Sequence, residues 1–263
     1  MTRTTDGRLE GALRSARDGG AKLLVPYVTG GMSEDWAEVV RAVAGAGADA
    51  VEVGIPFSDP IMDGPTVQDA SSRALDRGTT PLSIFAELAR LDPGVPLVAM
   101  TYYNLVFRMG ELRFARSLAE VGVSGAIVPD LPLDESAGWE REAAAAGVET
   151  VLLAAPVTTD ERLAQIVTRS RGFVYGVSLM GTTGARAELP PSAAIMAARL
   201  KAATDLPVVM GLGVSNPEQA AAVCSVADGV VVGSALVRLL LDGGGPDDAA
   251  TFVASLRAGL DHP

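Results

Sequence analysis

The chain has 263 residues, a hydrophobic content of 48% and a formal net charge of −11. This composition supports a sizeable buried core and excludes a disordered or fibrous protein, while the acidic surplus argues against a nucleic-acid partner. The sequence has no apolar run near the roughly 20 residues that cross a bilayer and no secretory signal, so we expect no membrane partner.

Helical and apolar segments alternate along the whole chain. The first predicted element is an amphipathic helix over Leu9 to Arg17. The predicted strands then cover 22–30, 49–53, 96–104, 125–130, 148–154, 173–178, 206–213 and 229–234. Helices are predicted from an N-cap at Ser33 to about Gly45, over about 66–75, 82–91, 111–121, 134–146, 160–170 and 192–203, from Asn216-Pro217 to 226, shortly after 234, and over 248–260.

This order predicts an α/β protein. The strands are short and nearly continuously apolar, as parallel strands covered by helices are. Eight strand–helix units in about 250 residues favour a barrel over an open sheet. The dinucleotide fingerprint is absent, because GLGVSN lacks the third glycine and follows the seventh strand. We expect one domain over 1–263, a single (β/α)8 TIM barrel with an extra N-terminal helix.

Two carboxylates mark the segment VEVGIPFSDPIMDGPTVQDA, which starts at Val51. Strand alternation places Glu52 between Ala50 and Gly54 on one face, and Asp63 lies in the loop that follows the same strand. At the mouth of a barrel, burial would raise the pKa of Glu52 and suit it to acid/base work. The pattern alone leaves another interpretation open, in which Glu52 is a solvated strand-end carboxylate and Asp63 a turn residue.

Glycine-rich loops follow the last three predicted strands: GTTGAR, GLGVSN and VGSALV. Loops at this place in such barrels often bind phosphate, and a helix N-terminus favours an anion. Neither of the last two loops carries Lys or Arg, so the phosphate would be held by amides and hydroxyls. Tight turns and helix caps are the alternative.

Three of the four tyrosines, Tyr27, Tyr102 and Tyr175, lie near predicted strand ends. A planar aromatic ligand or simple packing would each explain this placement. Asp130, in VPDLP, is interpreted as a loop-capping acid.

The few histidine, cysteine and lysine residues argue against several kinds of catalytic site. The only histidine is His262, next to the C-terminus, and Cys224 is the only cysteine. Neither lysine, Lys22 nor Lys201, lies where a strand ends. Histidine catalysis, a zinc site and a Schiff-base lysine are therefore not expected, and we expect no cofactor. A single cysteine also favours a cytoplasmic location.

The same segment closely resembles the tryptophan synthase α-subunit family, with PYVTGG, MTYYNLVF, GVSGAIVPDLPLDES, FVYGVSLMGTTGAR, GLGVSNPEQ and VVVGSALV in the family's order. The resemblance implies a lyase of tryptophan biosynthesis that splits indole-3-glycerol phosphate into indole and glyceraldehyde 3-phosphate. It implies Glu52 as the general acid/base, Asp63 as the partner of the ring N–H, and Tyr175 as an active-site tyrosine. The implied substrate-binding residues are Tyr27, Tyr102, Thr183, Gly184, Gly213, Gly233 and Ser234, with Thr183 in a closing loop.

The resemblance also implies a pyridoxal-phosphate β subunit as partner, in an α2β2 complex. The sequence departs from the common family pattern at Met32-Ser33, after PYVTGG. Three other functions remain open: a free-standing homologue that releases indole without a β subunit, an allosteric scaffold without chemistry, and a phosphate-binding barrel isomerase. The pair of acids argues against the scaffold, and the long loop motif argues against the isomerase.

Overall fold

A computed structural model of the chain describes residues 7–177 and 191–261. Within these ranges, eight parallel strands pair in chain order and the eighth pairs with the first, which closes a barrel. The strands are β1 Leu23–Thr29, β2 Val51–Gly54, β3 Leu97–Met100, β4 Val123–Ile127, β5 Glu149–Ala154, β6 Val174–Val177, β7 Val208–Gly211 and β8 Gly229–Val232. The predicted (β/α)8 TIM barrel is confirmed.

Helices surround the barrel in the described residues. They are α1 Arg8–Asp18, α2 Trp36–Gly45, α3 Pro65–Asp76, α4 Pro81–Leu88, α5 Tyr103–Met109, α6 Glu111–Glu120, α7 Ala137–Ala146, α8 Asp160–Arg169, α9 Pro191–Ala203, α10 Pro217–Cys224, α11 Ser234–Leu241 and α12 Pro246–Asp261. None of the helices in the described part of the chain is both long and apolar enough to cross a membrane.

The alternation along β2 explains how the chain builds two cores. Val51 and Val53 point outward and pack in the large apolar layer between strands and helices. Ala50 belongs instead to a smaller cluster inside the barrel. Glu52 follows Ala50 on this inner face, so the predicted placement of the acid inside the barrel is confirmed.

The predicted N-terminal helix is present and covers the end of the barrel where the strands begin. Leu9 and Leu13 are fully buried in the inner cluster, together with Leu23 at the start of β1. The backbone N–H groups of Leu9 and Glu10 donate to the two carboxylate oxygens of Glu149, at 2.7 and 3.0 Å. A carboxylate from β5 thus caps the N-terminus of α1, where the helix dipole also favours negative charge.

Two local predictions need correction. Helix α2 begins at Trp36, preceded by Asp35 with no capping side-chain bond, so Ser33 is not its N-cap. The predicted third strand, 96–104, ends at Met100, and Tyr103 opens α5, a helix that the sequence pattern did not predict. The carboxylate of Asp130 accepts from the Tyr103 N–H at 2.8 Å, and this loop-capping role was predicted.

Candidate active site

A cavity of about 220 Å³ opens where the strands end. Strands β1 to β8 each contribute to its wall or to the loop just beyond it, which is where chemistry occurs in this fold. The lining residues are Tyr27, Glu52, Met62, Asp63, Gly64, Val67, Met100, Ile127, Pro129, Leu153, Tyr175, Val177, Gly211, Gly213, Val231, Gly233 and Ser234. Most of the predicted site residues therefore share one cavity.

Glu52 is the acid at the base of the cavity. Its side chain is almost fully buried, and its Oε2 atom has no hydrogen-bond partner among the described residues. Burial, and secondarily the charge of Asp63, raises the pKa of Glu52 to about 8. A carboxyl group in this state is protonated at neutral pH and can both give and take a proton.

Asp63 reaches the same cavity from the loop between β2 and α3. Its N–H donates to the carbonyl of Pro60 at 3.0 Å, and its own carbonyl accepts from Gln68 Nε2 at 2.9 Å. Burial raises the pKa of Asp63 to about 6, and the nearby Tyr102 hydroxyl opposes this rise in part. At neutral pH the two acids therefore differ, with Glu52 protonated and Asp63 ionised.

Tyr27 and Tyr175 line the cavity together with Glu52. Tyr27 lies directly opposite Glu52 in the β1–β2 register, and its hydroxyl accepts from Thr29 at 3.3 Å. Burial, together with the nearby acids, raises the pKa of both tyrosines well above the usual range. Both phenols are consequently neutral groups that can donate a hydrogen bond into the cavity.

The small residues around the acids make room for these rings. A methyl group on Gly54 would collide with the Tyr27 hydroxyl, and one on Gly211 would lie 2.7 Å from the Tyr175 hydroxyl. The room that Gly54 leaves beside Glu52 on β2 is thus occupied by the Tyr27 ring. The remaining space is the cavity.

Tyr102 contacts the loop that carries Asp63 and is not among the described residues that line the cavity. Its ring stacks on Phe57, with centroids 5.2 Å apart, and its hydroxyl accepts from the Met62 N–H at 3.0 Å. It touches the loop that carries Asp63 and is almost fully buried.

The opposite end of the cavity is built from backbone. Gly213 adopts a φ of 72°, which favours glycine, and Gly233 immediately precedes α11, whose first residue is Ser234. No Lys or Arg lines the cavity in the part of the chain that the structure describes. The first N–H groups of a helix have no partner within the helix, so those of α11, with the Ser234 hydroxyl, suit an anion. Thr183 and Gly184 lie outside the described residues.

The apolar wall of the cavity was not singled out in the sequence. Met100, Ile127, Leu153 and Val177 lie at or next to the ends of four successive strands, β3 to β6. Their position at strand ends is a signal that could have found them once a barrel was assumed. Together the walls suit an elongated ligand with an apolar ring near the acids and an anionic group near α11.

Comparisons with known proteins agree with this geometry. The family model for the tryptophan synthase alpha chain matches residues 13–257. The alpha chains of Streptomyces avermitilis and Streptomyces coelicolor are 43% and 45% identical, over 95% and 92% of this chain and 91% and 90% of their own. A solved structure of Mycobacterium tuberculosis tryptophan synthase has a TM-score of 0.91 at 39% identity, covering 97% of this chain and 99% of that one.

Proposed function

The chain belongs to the tryptophan synthase alpha chain family, whose members are lyases that cleave indole-3-glycerol phosphate in tryptophan biosynthesis, and we propose that Glu52 and Asp63 perform this cleavage. The observation that carries the proposal is the buried carboxyl of Glu52, whose Oε2 atom has no hydrogen-bond partner in the described residues and which faces a cavity that it shares with Asp63.

The bond cleavage is a retro-aldol reaction. Glu52 transfers its proton to the indole carbon that bears the glycerol phosphate chain, which gives the indolenine tautomer with positive charge on the ring nitrogen. Asp63 accepts a hydrogen bond from the ring N–H and stabilises that charge. Glu52, or a relay through a neighbouring carboxylate, then takes the proton of the adjacent hydroxyl. The carbon–carbon bond breaks, its electron pair returns to the ring, and indole and glyceraldehyde 3-phosphate are released.

The different pKa values of the two acids support these roles. With Asp63 ionised above about pH 6 and Glu52 protonated below about pH 8, the competent form exists between these values. We therefore expect a bell-shaped dependence of kcat/KM on pH, which reports the free enzyme. A profile measured with purified protein would check this. A flat profile from pH 5.5 to 8.5, with chemistry rate-limiting, would contradict the assignment.

The phosphate group is proposed to bind at Gly213, Gly233 and Ser234, with Tyr175 beside Glu52 and the apolar wall around the indole ring. Thr183 and Gly184 are proposed to complete the site. A methyl group on Gly233 meets no atom closer than 3.6 Å, so this position accepts a side chain without a clash within the protein. A Gly233→Ala variant should keep its fold and raise KM for the substrate, whereas unchanged phosphate affinity would contradict the amide cradle.

A surface around the cavity mouth supports a protein partner. Ile61, Met62, Phe107 and Val157 are 69, 43, 67 and 72% exposed, and all four lie in segments that follow strand ends. Members of this family work with a β subunit. We propose that this rim docks the β subunit in an α2β2 complex and that indole passes across it.

The test is to incubate purified protein with indole-3-glycerol phosphate and to measure indole, with and without a β subunit. Slow release alone and faster release in the complex support the subunit function. Equal, substantial turnover without the β subunit favours the free-standing homologue instead. No indole from the complex would contradict the assignment of the acids.

We also propose that residues 1–263 form one barrel domain and that the protein acts in the cytoplasm. In the described residues the eight strands close into one sheet, which supports a single barrel domain. The family's biosynthetic role supports the cytoplasmic location.

A further inference from the structure

A second pocket lies beside the catalytic cavity, between the loop that follows β4 and helix α8. Its volume is about 330 Å³, larger than the 220 Å³ of the catalytic cavity. Thr158 in the β5–α8 loop borders it, and α8 contributes Arg162 and Ile166. Pro129 and Leu153 line both spaces, so these two residues form a shared wall. A pocket of this size suits a small ligand.

Most of the surface of this second pocket is apolar. Water finds few hydrogen-bond partners among such groups, so an apolar ring that replaces it is bound favourably. The pocket therefore favours an apolar ligand over a strongly hydrated one. Besides two prolines, the apolar side chains are Val128, Leu131, Leu133, Leu152, Leu153 and Ile166.

Two charged side chains at the edge of the pocket neutralise each other. Arg162 Nη1 and Nη2 donate to Asp134 Oδ1 and Oδ2, at 2.8 and 2.7 Å, so both oxygens of the carboxylate are engaged. No other Lys, Arg, Asp or Glu lines the pocket in the part of the chain that the structure describes. An anionic ligand would have to break this pair to gain a cation, and the pocket is consequently suited to a neutral one.

Thr158 is the uncharged polar side chain of the pocket. Its hydroxyl oxygen accepts from the Ala155 N–H at 3.0 Å and retains a second lone pair. A ring N–H can donate to that lone pair. A neutral planar ring with one N–H donor thus matches both the apolar lining and this acceptor.

Indole is such a molecule, and the proposed reaction releases it on the other side of the wall formed by Pro129 and Leu153. We propose that the pocket is a second binding site for indole, which holds the neutral product outside the catalytic cavity. The inference rests on the proposed function for the identity of the ligand, whereas the lining and the paired charges argue for its chemical class independently.

The first measurement is an NMR titration of methyl-labelled protein with indole. Leu131 and Ile166 line only the pocket and report on it, while Ile127 and Val177 line only the catalytic cavity. In a Glu52→Gln protein saturated with indole-3-glycerol phosphate, the catalytic cavity stays occupied by substrate. The pocket methyls should still shift saturably with added indole, with a dissociation constant on the order of 1 mM for so small a ligand.

A Leu131→Trp variant fills the pocket from a half-buried position. Indole affinity measured at the Ile166 methyls should then fall at least about tenfold, because the apolar surface is already covered. Leu82→Trp is the matched control, since Leu82 is a 59% exposed leucine on α4 that lines neither space. It should leave the affinity unchanged.

The charge of the ligand provides a further test. Indole-3-acetate adds a negative charge to the same ring and should bind at least about tenfold more weakly than indole, because its carboxylate loses hydration without gaining a free cation. Soaking crystals of the unaltered protein in indole needs no variant and keeps the test decisive if Leu131→Trp fails to fold. Density for the ring should appear between α8 and residues 128–134.

Three results would each overturn the inference: shifts confined to Ile127 and Val177, shifts at the pocket that do not saturate, and indole affinity retained in folded Leu131→Trp. Equal binding of indole-3-acetate would overturn the assignment of a neutral ligand. If the complex with a β subunit released no indole from the substrate, the proposed function would fail, whereas the titration with added indole would still decide whether the pocket binds it.

Discussion

Glu52 and Glu149 are both buried glutamates on barrel strands, but they lie at opposite ends of the barrel. Glu149, at the start of β5, is 7% exposed and accepts two backbone N–H bonds from the first turn of α1. Glu52, on β2, is 1% exposed, and its Oε2 has no partner in the described residues. The same residue type is therefore structural at one end and, in the proposed mechanism, catalytic at the other.

The difference lies in what replaces water around each carboxylate. At Glu149 the helix N-terminus supplies donors and a favourable dipole, so the charged form is stabilised where it stands. At Glu52 nothing in the described residues replaces the lost hydration, so the proton is retained. A buried acid without partners costs stability, and in this fold that cost occurs at the end of the barrel that performs chemistry.

The largest effect is expected for Glu52→Gln, which tests the proposed proton transfer by this residue. The amide keeps the shape of the side chain and cannot give or take the proton, so we expect indole release to fall by about 10²–10⁴. The measurement is the rate of indole formation in the complex with a β subunit. Full retention of the rate would remove Glu52 from the mechanism.

A smaller loss is expected for Asp63→Asn, about 10–10², because the amide oxygen still accepts from an N–H but carries no charge. Loss of the negative charge also lowers the pKa of Glu52, since the charge of Asp63 raises it. The basic limb of the pH profile should therefore move to lower pH. A basic limb that stays in place would show that the two acids are not coupled.

Glu149→Gln tests the structural role of the glutamate that caps α1. Only one of the two N–H groups of Leu9 and Glu10 can then be satisfied, and the charge at the helix N-terminus is lost. We expect the free energy of unfolding to fall by about 1–3 kcal/mol, with turnover retained at a permissive temperature. Urea unfolding, with hydrogen exchange at the amides of Leu9 and Glu10, measures this. A variant as stable as the unaltered protein would remove the capping role.

The smallest expected effect is a gain in stability from Glu52→Gln above pH 8. The folded-state pKa of Glu52, about 8, exceeds the ordinary glutamate value of 4.5, so the folded protein binds more protons than the unfolded chain between these values. Stability from this carboxyl is present at low pH and lost as pH rises towards 8. The glutamine variant avoids that loss and should be about 1–2 kcal/mol more stable at pH 9 than the unaltered protein. Thermal melts across pH 5–9 would reveal no such divergence if Glu52 were solvated.

The barrel could be predicted because its strands are short, apolar and regularly spaced. The position of Glu52 on the inner face followed from simple alternation, which the structure confirms. The role of Glu149 could not be predicted, because it depends on a contact with a helix 140 residues away. Strand alternation says which face a side chain occupies and says nothing about distant partners.

Helix α5 and Tyr102 show a second limit. The residues MTYYN are β-favouring by composition, and the chain nevertheless turns into a helix at Tyr103, since Asp130 from the next loop caps it. The Tyr102 ring, directly before this helix, stacks on Phe57 and is not among the described residues that line the cavity. Placing Tyr102 near a strand end was correct, but its neighbours are set by a tertiary contact that sequence position does not encode.

The capping of α1 by Glu149 also determines when, during synthesis, this helix can dock on the barrel. The helix emerges from the ribosome first, but its anchor is made 140 residues later. At translation rates of 5–20 residues per second, the interval is on the order of ten seconds. During this time Leu9 and Leu13 have no barrel interior to enter, and they are exposed to chaperones and to other nascent chains. The helix that closes this end of the barrel is thus made before the strand that anchors it, and it reaches its native contacts only after that strand is complete.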